Sequence, residues 1–586
     1  MNNDFHFKIS TESKTYEFDL HATSTSTQSG FARYSITSKN ESDIEAINKL
    51  LQHALEDNPA SVEEISRRLE HLPDIKQIEM TPTSKTHALG KQVFGAEKTS
   101  KATPMSAPGD QRVEQLTAKC EEIMHRLHIP GMSISVVKNE EMVNIALGIC
   151  NTETQIPVRK DTIFEACSLS KQIFTELVFS LVESKELDLD EPLHEFFSDD
   201  RISHDPRHKQ LTARMVLSHQ TGLPNWGADK NAKLEFLFDP GKGFGYSGEG
   251  FGYLQKVIEK KLGKPLDELA EERIFKPLGM THSHFSWPER EEVSLPVTGH
   301  TEIGTPTPKR IPSEAHAAAS FHCSVSDFSK FLKHCLARET FPETMLKKEN
   351  KFVPAEIDGH EVGDGKTTWG LGWGVQSVEN GVLGFQWGDN GPFKAFVVID
   401  IETKSAVAGF FNSANGLMAA PEITCEVLGS GTDGMFDWLD YGHYSLSWQE
   451  FIAGKKCEAS HDYGDAIKHF EASLKETTGK DGQTFENRVK RLERIIEVGQ
   501  NPIEISADEL KRFTGHYGVL SFEIERGSLT IQFPGASEKN KLIYIGERKF
   551  LIEGNMEYEI FFPEDDQTSA RVYFLDGSEV KEEKHS

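Results

Sequence analysis

The sequence predicts a multidomain α+β protein, and three observations carry that prediction. The chain has 586 residues, more than one hydrophobic core organises. Between residues 110 and 440 the pattern opens with a helix and two strands, runs through a long helical middle and returns to strands after residue 370, the element order of an α+β domain. Both flanks carry different patterns of their own.

At the N-terminus, FHFKISTESKTYEFDL alternates apolar residues at Phe5, Phe7 and Ile9 and again at Tyr16, Phe18 and Leu20. Two such period-two runs around a polar turn predict a β-hairpin. A helix is predicted from about Ser42, with Ile44, Ile47, Leu50, Leu51 and Leu55 on one face, and another from Ser61 to His71. Residues 81–109, rich in Thr, Ser, Lys, Gly and Pro, read as a linker. An N-terminal α+β unit with its linker therefore spans residues 1–105.

The second unit, residues 110–440, begins with the amphipathic helix VEQLTAKCEEIMHRL, stopped at HIPG by proline and glycine. MSISVVKNEEMVNIALGIC follows as two antiparallel strands around a polar turn at Lys138 to Glu141. Residues 441–502 read as a helical connector. Within it DYGDAIKHFEASLKE has the small-and-aromatic spacing of a tetratricopeptide-like helix, but one such helix makes no array. Residues 503–582 alternate over short runs with turn signals between them, which predicts a C-terminal antiparallel barrel or sandwich.

Acidic residues outnumber basic ones by 92 to 64, a net charge of −28. Nucleic acids and anionic membranes are bound by basic patches, so this balance argues against both as partners. No run of eighteen apolar residues predicts a membrane span. The opening MNNDFHFKIS lacks the basic and apolar regions of a secretory signal, which predicts a cytoplasmic location; signal-independent export would leave the sequence unmarked. Seven scattered cysteines, none in a C-x-x-C pair, predict reduced thiols rather than a disulfide framework or a zinc site. With no H-E-x-x-H, P-loop or dinucleotide fingerprint, no metal or other cofactor is implied.

The chemistry concentrates in FEACSLSKQIFTELVFSLVESKELDLD. Ser168 and Lys171 form a Ser-x-x-Lys, and Ile173, Phe174, Leu177, Val178, Leu181 and Val182 then recur with helical period. Residues three apart share a helix face, so the two side chains can meet. A serine hydroxyl needs a base to become a nucleophile, and a lysine whose ammonium is destabilised by burial and by the helix N-terminus can be that base. A second Ser-x-x-Lys, Ser135 to Lys138, falls on a strand, where residues three apart point to opposite faces. Downstream, Tyr246 follows a glycine-rich turn and precedes a helix containing Leu254, Val257 and Ile258, where its hydroxyl can relay a proton.

The segments IPGMSISVVKN, DTIFEACSLSKQ, LTARMVLSHQTGLP, FGYSGEGFGYL, AAASFHCSVSDFSKFL, WGLGWGV and QWGDNGPFKAF, in this order, resemble the β-lactamase-related serine hydrolases: class C β-lactamases, D-alanyl-D-alanine carboxypeptidases, D-aminopeptidases and related esterases. The resemblance covers roughly residues 112–440 and implies a β-lactamase/transpeptidase-like domain, an antiparallel sheet flanked by helices. It implies Ser168 as the acylated nucleophile, Lys171 as its base and Tyr246 as the proton shuttle. It implies an oxyanion hole of the Ser168 and Asp389 backbone N–H groups, and substrate contacts from Ser247, Gly248, Gln386, Trp387 and Gly388, the last three on an edge strand. The implied substrate is a small-molecule or peptide acyl compound, and the terminal units leave room for a protein partner or a homo-oligomer.

Two positions depart from the family pattern. Gly248 stands where a Tyr-x-Asn element has its amide, and Gln386 stands where many relatives carry lysine or histidine. A neutral Gln386 makes no charge-assisted contact with a substrate carboxylate, so an ester or a peptide without a nearby free carboxylate fits better than a β-lactam. The departures also motivate a second expectation, a catalytically degenerate binding or scaffolding protein. An α/β-hydrolase elbow at Gly245 to Glu249 fails at its last position. His219 is expected to cap local backbone, Trp226, Trp369 and Trp373 to pack, Asn390 to shape a turn, and Cys167 to act as a small buried hydrophobe.

Overall fold

A computed structural model describes the chain as backbone strands within residues 4–94 and in full over most of residues 110–584, with gaps of which the longest are 288–296, 348–355, 362–366, 440–445 and 534–538. The chain divides into two compact units, Ala102–His443 and most of the remainder.

The N-terminal strands form one five-stranded sheet, in the order Ile75–Pro82, Asp4–Thr11, Thr15–Thr25, Ala32–Ser38, Gln92–Phe94. Its central hairpin pairs Phe5 with Leu20, Phe7 with Phe18 and Ile9 with Tyr16, the apolar sets that the alternation predicts. The predicted linker is interrupted by Gln92–Phe94, which pairs with Ala32–Ser38 because Val93 and Phe94 give a short strand-forming run in a polar stretch. The helices predicted near residues 42–55 and 61–71 lie outside the described residues.

The unit Ala102–His443 is built on a seven-stranded antiparallel sheet ordered Thr367–Trp369, Gly374–Val378, Gly381–Asp389, Lys394–Asp400, Ser405–Phe411, Gly131–Lys138, Glu141–Gly148. The first helix, Asp110–Arg126, ends before His128, whose φ of +52° turns the chain into the sheet. The turn between the next two strands uses positive φ at Asn139 and Glu140, the twist a tight hairpin needs. Helix Ser170–Glu183 lies in the core, with Ile173, Phe174, Leu177, Val178 and Leu181 buried. A three-stranded sheet of Ile163–Cys167, Phe321–Ser324 and Ser283–His284 leads into it.

Beyond residue 445, helices Leu446–Ala459, Tyr463–Leu474 and Gly479–Gln500 precede an eight-stranded antiparallel sheet that runs in sequence order from Gly515–Tyr517 to Glu579–Glu583. Helix residues Phe470, Leu492 and Ile495 share one apolar core with strand residues Ile545, Leu551 and Met556. Arg488 is buried in this contact, bonded to Glu458 at 2.8 Å and paired with Glu557. Removing one member of a buried ion pair leaves the other charge uncompensated. Arg488→Met is therefore expected to lower the stability of this part of the chain by about 3–5 kcal/mol, measured by chemical denaturation.

Candidate active site

Strand Ile163–Cys167 delivers Ser168 through a tight turn. Cys167 adopts φ +52°, a conformation that costs a non-glycine residue about 1–2 kcal/mol. The turn is held by Leu169 N–H donating to the Ala166 carbonyl at 3.0 Å and by the Cys167 thiol donating to the Phe393 carbonyl at 3.4 Å. Ser170 ties it down further: its hydroxyl donates to the Cys167 carbonyl at 2.5 Å and accepts from Phe321 N–H at 2.9 Å. Full burial pushes the Cys167 thiol well above its ordinary range, so it packs as a small apolar group.

Helix Ser170–Glu183 then brings Lys171 over Ser168. Lys171 Nζ lies 3.1 Å from Ser168 Oγ and donates to the Ala318 carbonyl at 2.9 Å. The lysine is wholly buried, while Ser168 is half-buried. Burial lowers the Lys171 amine to about 7, because a neutral carbonyl and a hydroxyl do little to stabilise an ammonium out of water. Its Nζ stands 4.8 Å from the centre of the Tyr246 ring.

Tyr246 is clamped between rings, 4.4 Å from His219 and 4.8 Å from Trp387. Its hydroxyl oxygen accepts from Gln386 Nε2 at 2.7 Å. The direction of that bond is fixed by backbone. Gln386 Nε2 also donates to the Trp387 carbonyl at 2.9 Å, and Gln172 Nε2, which donates to the Gly372 carbonyl at 2.7 Å, faces Gln386 Oε1 at 3.4 Å. Carbonyls only accept, so both amide orientations are set, and the phenolic hydrogen of Tyr246 points away from Gln386.

Strand Gly381–Asp389 supplies the remaining wall. It is interior, third of seven, rather than the expected edge strand. Its pairing with Gly374–Val378 stops at Phe385, however, while its pairing with Lys394–Asp400 continues to Asp389. A Cβ added to Gly388 would lie 2.8 Å from Cys167 Cβ and 3.1 Å from the Ser168 nitrogen. Only a glycine lets this strand lie against the turn at Cys167 and Ser168. Asp389 accepts from Gly391 N–H at 2.9 Å within the turn and pairs with Lys394; Asn390 bonds Glu165 and the Ala319 carbonyl, which ties the turn to distant segments of the chain.

Three expected substrate contacts are placed otherwise. The Ser247 hydroxyl accepts from Gly250 N–H at 2.9 Å and donates to the Pro224 carbonyl at 2.8 Å, capping helix Gly248–Leu262, whose first amides need an acceptor. Gly248 donates its N–H to Asn225 Oδ1 at 3.0 Å, and the half-exposed Trp226 ring fills the space above it. Gln386 is 1% exposed and supports Tyr246 instead of facing solvent. His219 Nδ1 accepts from Ser247 N–H at 3.0 Å; burial and the nearby Lys171 hold its imidazole neutral. Trp369 and Trp373 are core residues.

The family profile described as Beta-lactamase matches residues 116–424, more than half of the chain. The chain belongs to the β-lactamase family. A β-lactamase of Pseudomonas fluorescens is 25% identical over 276 residues, covering 43% of this chain and 71% of that protein. The esterase EstB of Burkholderia gladioli is 25% identical over 328 residues, covering 46% of this chain and 80% of that protein. A D-aminopeptidase of Brucella anthropi is 30% identical over 175 residues, covering 26% of this chain and 32% of that protein. This family member thus has a β-lactamase/transpeptidase-like fold with a near-closed antiparallel β-unit after it.

Two contributors to the site were not read from the sequence. The Ala318 carbonyl that holds Lys171 has no side-chain signal, and Gln172 is an ordinary polar position on a helix. Gly388→Ala is expected to leave the protein folded and to lower the rate of Ser168 acylation by about 10²-fold, the order lost with one oxyanion donor, measured by the rate of fluorophosphonate labelling.

Proposed function

We propose that this chain hydrolyses esters or amides through an acyl-enzyme on Ser168. The observation that carries the reading is the Lys171 amine, wholly buried and 3.1 Å from the Ser168 hydroxyl, with burial drawing it toward the neutral form near pH 7. A neutral amine in that position is a base aimed at one hydroxyl.

In the proposed reaction, Ser168 Oγ attacks the substrate carbonyl carbon as its proton passes to Lys171. The carbonyl electron pair moves onto oxygen, which takes hydrogen bonds from Ser168 N–H and Asp389 N–H, worth about 2.7–4 kcal/mol each in such sites. The tetrahedral adduct collapses and breaks the bond to the leaving group. That group departs as alcohol or amine with the proton relayed through Tyr246. Water then attacks the acyl-Ser168 ester by the same steps and releases the acid. Gln386 orients Tyr246 and position 386 offers no cation to a substrate carboxylate, which favours an acyl compound without a free carboxylate beside the scissile bond.

Seven free thiols and an acidic surface fit a reducing, cytoplasmic setting. Among the described residues no helix is long and apolar enough to cross a membrane.

Fluorophosphonate labelling is expected in the intact protein and is expected to vanish in Ser168→Ala and Lys171→Ala. The labelling rate should rise with pH through about 7, as Lys171 loses its proton, and level off above. p-Nitrophenyl esters should turn over faster than nitrocefin. Labelling retained in Ser168→Ala would overturn the assignment, and an intact protein that never labels would leave the binding-protein reading in its place.

A further inference from the structure

The eight-stranded C-terminal sheet is brought round on itself by a bridge between Tyr517 and Lys584. Gly518 N–H donates to the Glu583 carbonyl at 2.7 Å, and Lys584 N–H donates to the Thr568 carbonyl at 2.6 Å. Beside this seam lies a pocket of about 170 Å³, lined by Arg512, Phe513, Tyr517, Arg548, Phe562 and Lys584 among others.

Its charges are unbalanced. Among the described residues, none of the three cations has a carboxylate partner. Arg548 uses Nε to donate to the Phe562 carbonyl at 2.7 Å, which leaves the two terminal nitrogens of its guanidinium for a ligand. Among the described residues the one carboxylate lining the pocket, Asp566, is occupied by the Thr568 and Ser569 hydroxyls and by Lys581 at 3.0 Å. The cavity beside helix Gly248–Leu262 in the other unit shows the contrast: Arg201 is paired with Glu249 at 2.8 Å and Lys256 with Asp199 at 2.9 Å. In a chain of net charge −28, three cations that face one concavity with no carboxylate partner among the described residues repel one another until an anion sits between them.

The rest of the wall is aromatic. Phe513 and Phe562 stack at 4.6 Å, and Tyr517 meets Phe562 nearly edge-on at 5.5 Å. Arg548 lies 5.3 Å from the centre of the Phe513 ring and Lys584 Nζ 4.9 Å from that of Tyr517, so the cations border the ring surface.

We propose that this seam pocket binds a small organic anion, a carboxylate or phosphate carried on an aromatic or apolar body. Arg548 takes the anionic group in its fork, Arg512 and Lys584 flank it, and the body lies against Phe513, Tyr517 and Phe562. The site is independent of the chemistry at Ser168.

Isothermal titration of the full-length Ser168→Ala protein with phenyl phosphate and with benzoate tests the proposal, since that background removes turnover at the other site. Inorganic phosphate at equal ionic strength controls for charge alone. Saturable one-to-one binding is expected, tighter for phenyl phosphate than for inorganic phosphate. Arg548→Met should weaken it about tenfold or more, the order of one charge-assisted contact, and Arg512→Ala and Lys584→Ala severalfold each. Arg512 is exposed and the Lys584 side chain is only partly buried, so these two variants decide the matter if Arg548→Met does not fold. Absence of saturable binding by either aryl anion, binding unchanged in both Arg512→Ala and Lys584→Ala, or inorganic phosphate binding as tightly as phenyl phosphate would overturn the proposal.

Discussion

The candidate site depends on one unfavourable burial. An ammonium in water is strongly solvated; the Lys171 amine is wholly enclosed, and among the described residues its hydrogen-bond partners are the Ala318 carbonyl and the Ser168 hydroxyl, with no carboxylate beside it. A lysine paired with a carboxylate in the same place would keep its proton and be useless as a base. The fold therefore stores the difference between a hydrated cation and a buried neutral amine at a point where a hydroxyl can use it.

The neighbouring structure keeps that arrangement in position. The left-handed Cys167 turns the chain so that Ser168 faces the open side while helix Ser170–Glu183 runs into the core. Gly388 lets a sheet strand come against the turn, beside the Ser168 N–H. Gln172 and Gln386, oriented by backbone carbonyls, hold the Tyr246 oxygen as an acceptor. Each of these features restricts one degree of freedom of the Ser168, Lys171 and Tyr246 group.

What was legible in the sequence follows from the range of the interactions. Ser168 and Lys171 show because three residues on a helix is a local spacing, and the Asp4–Thr25 hairpin shows because period-two alternation is local too. Ser247 carries a local signal of a different kind: a serine directly before a helical run is first of all a cap, and its hydroxyl is consumed there. Gln386 was read from its place in a motif, but which face of its strand meets Tyr246 is decided by tertiary packing. The Ala318 carbonyl and the bridge between Tyr517 and Lys584 are contacts of backbone groups far apart in the chain, and no residue type announces them.

The most direct test is the protonation state of one amine. With lysines labelled at Cε by ¹³C, and Lys171 assigned by its loss in Lys171→Arg, nuclear magnetic resonance reads the titration of Lys171 itself. The account predicts a resonance that titrates near pH 7, well apart from the remaining lysines. A Lys171 that keeps its proton up to the ordinary lysine range of about 10.4 would contradict it.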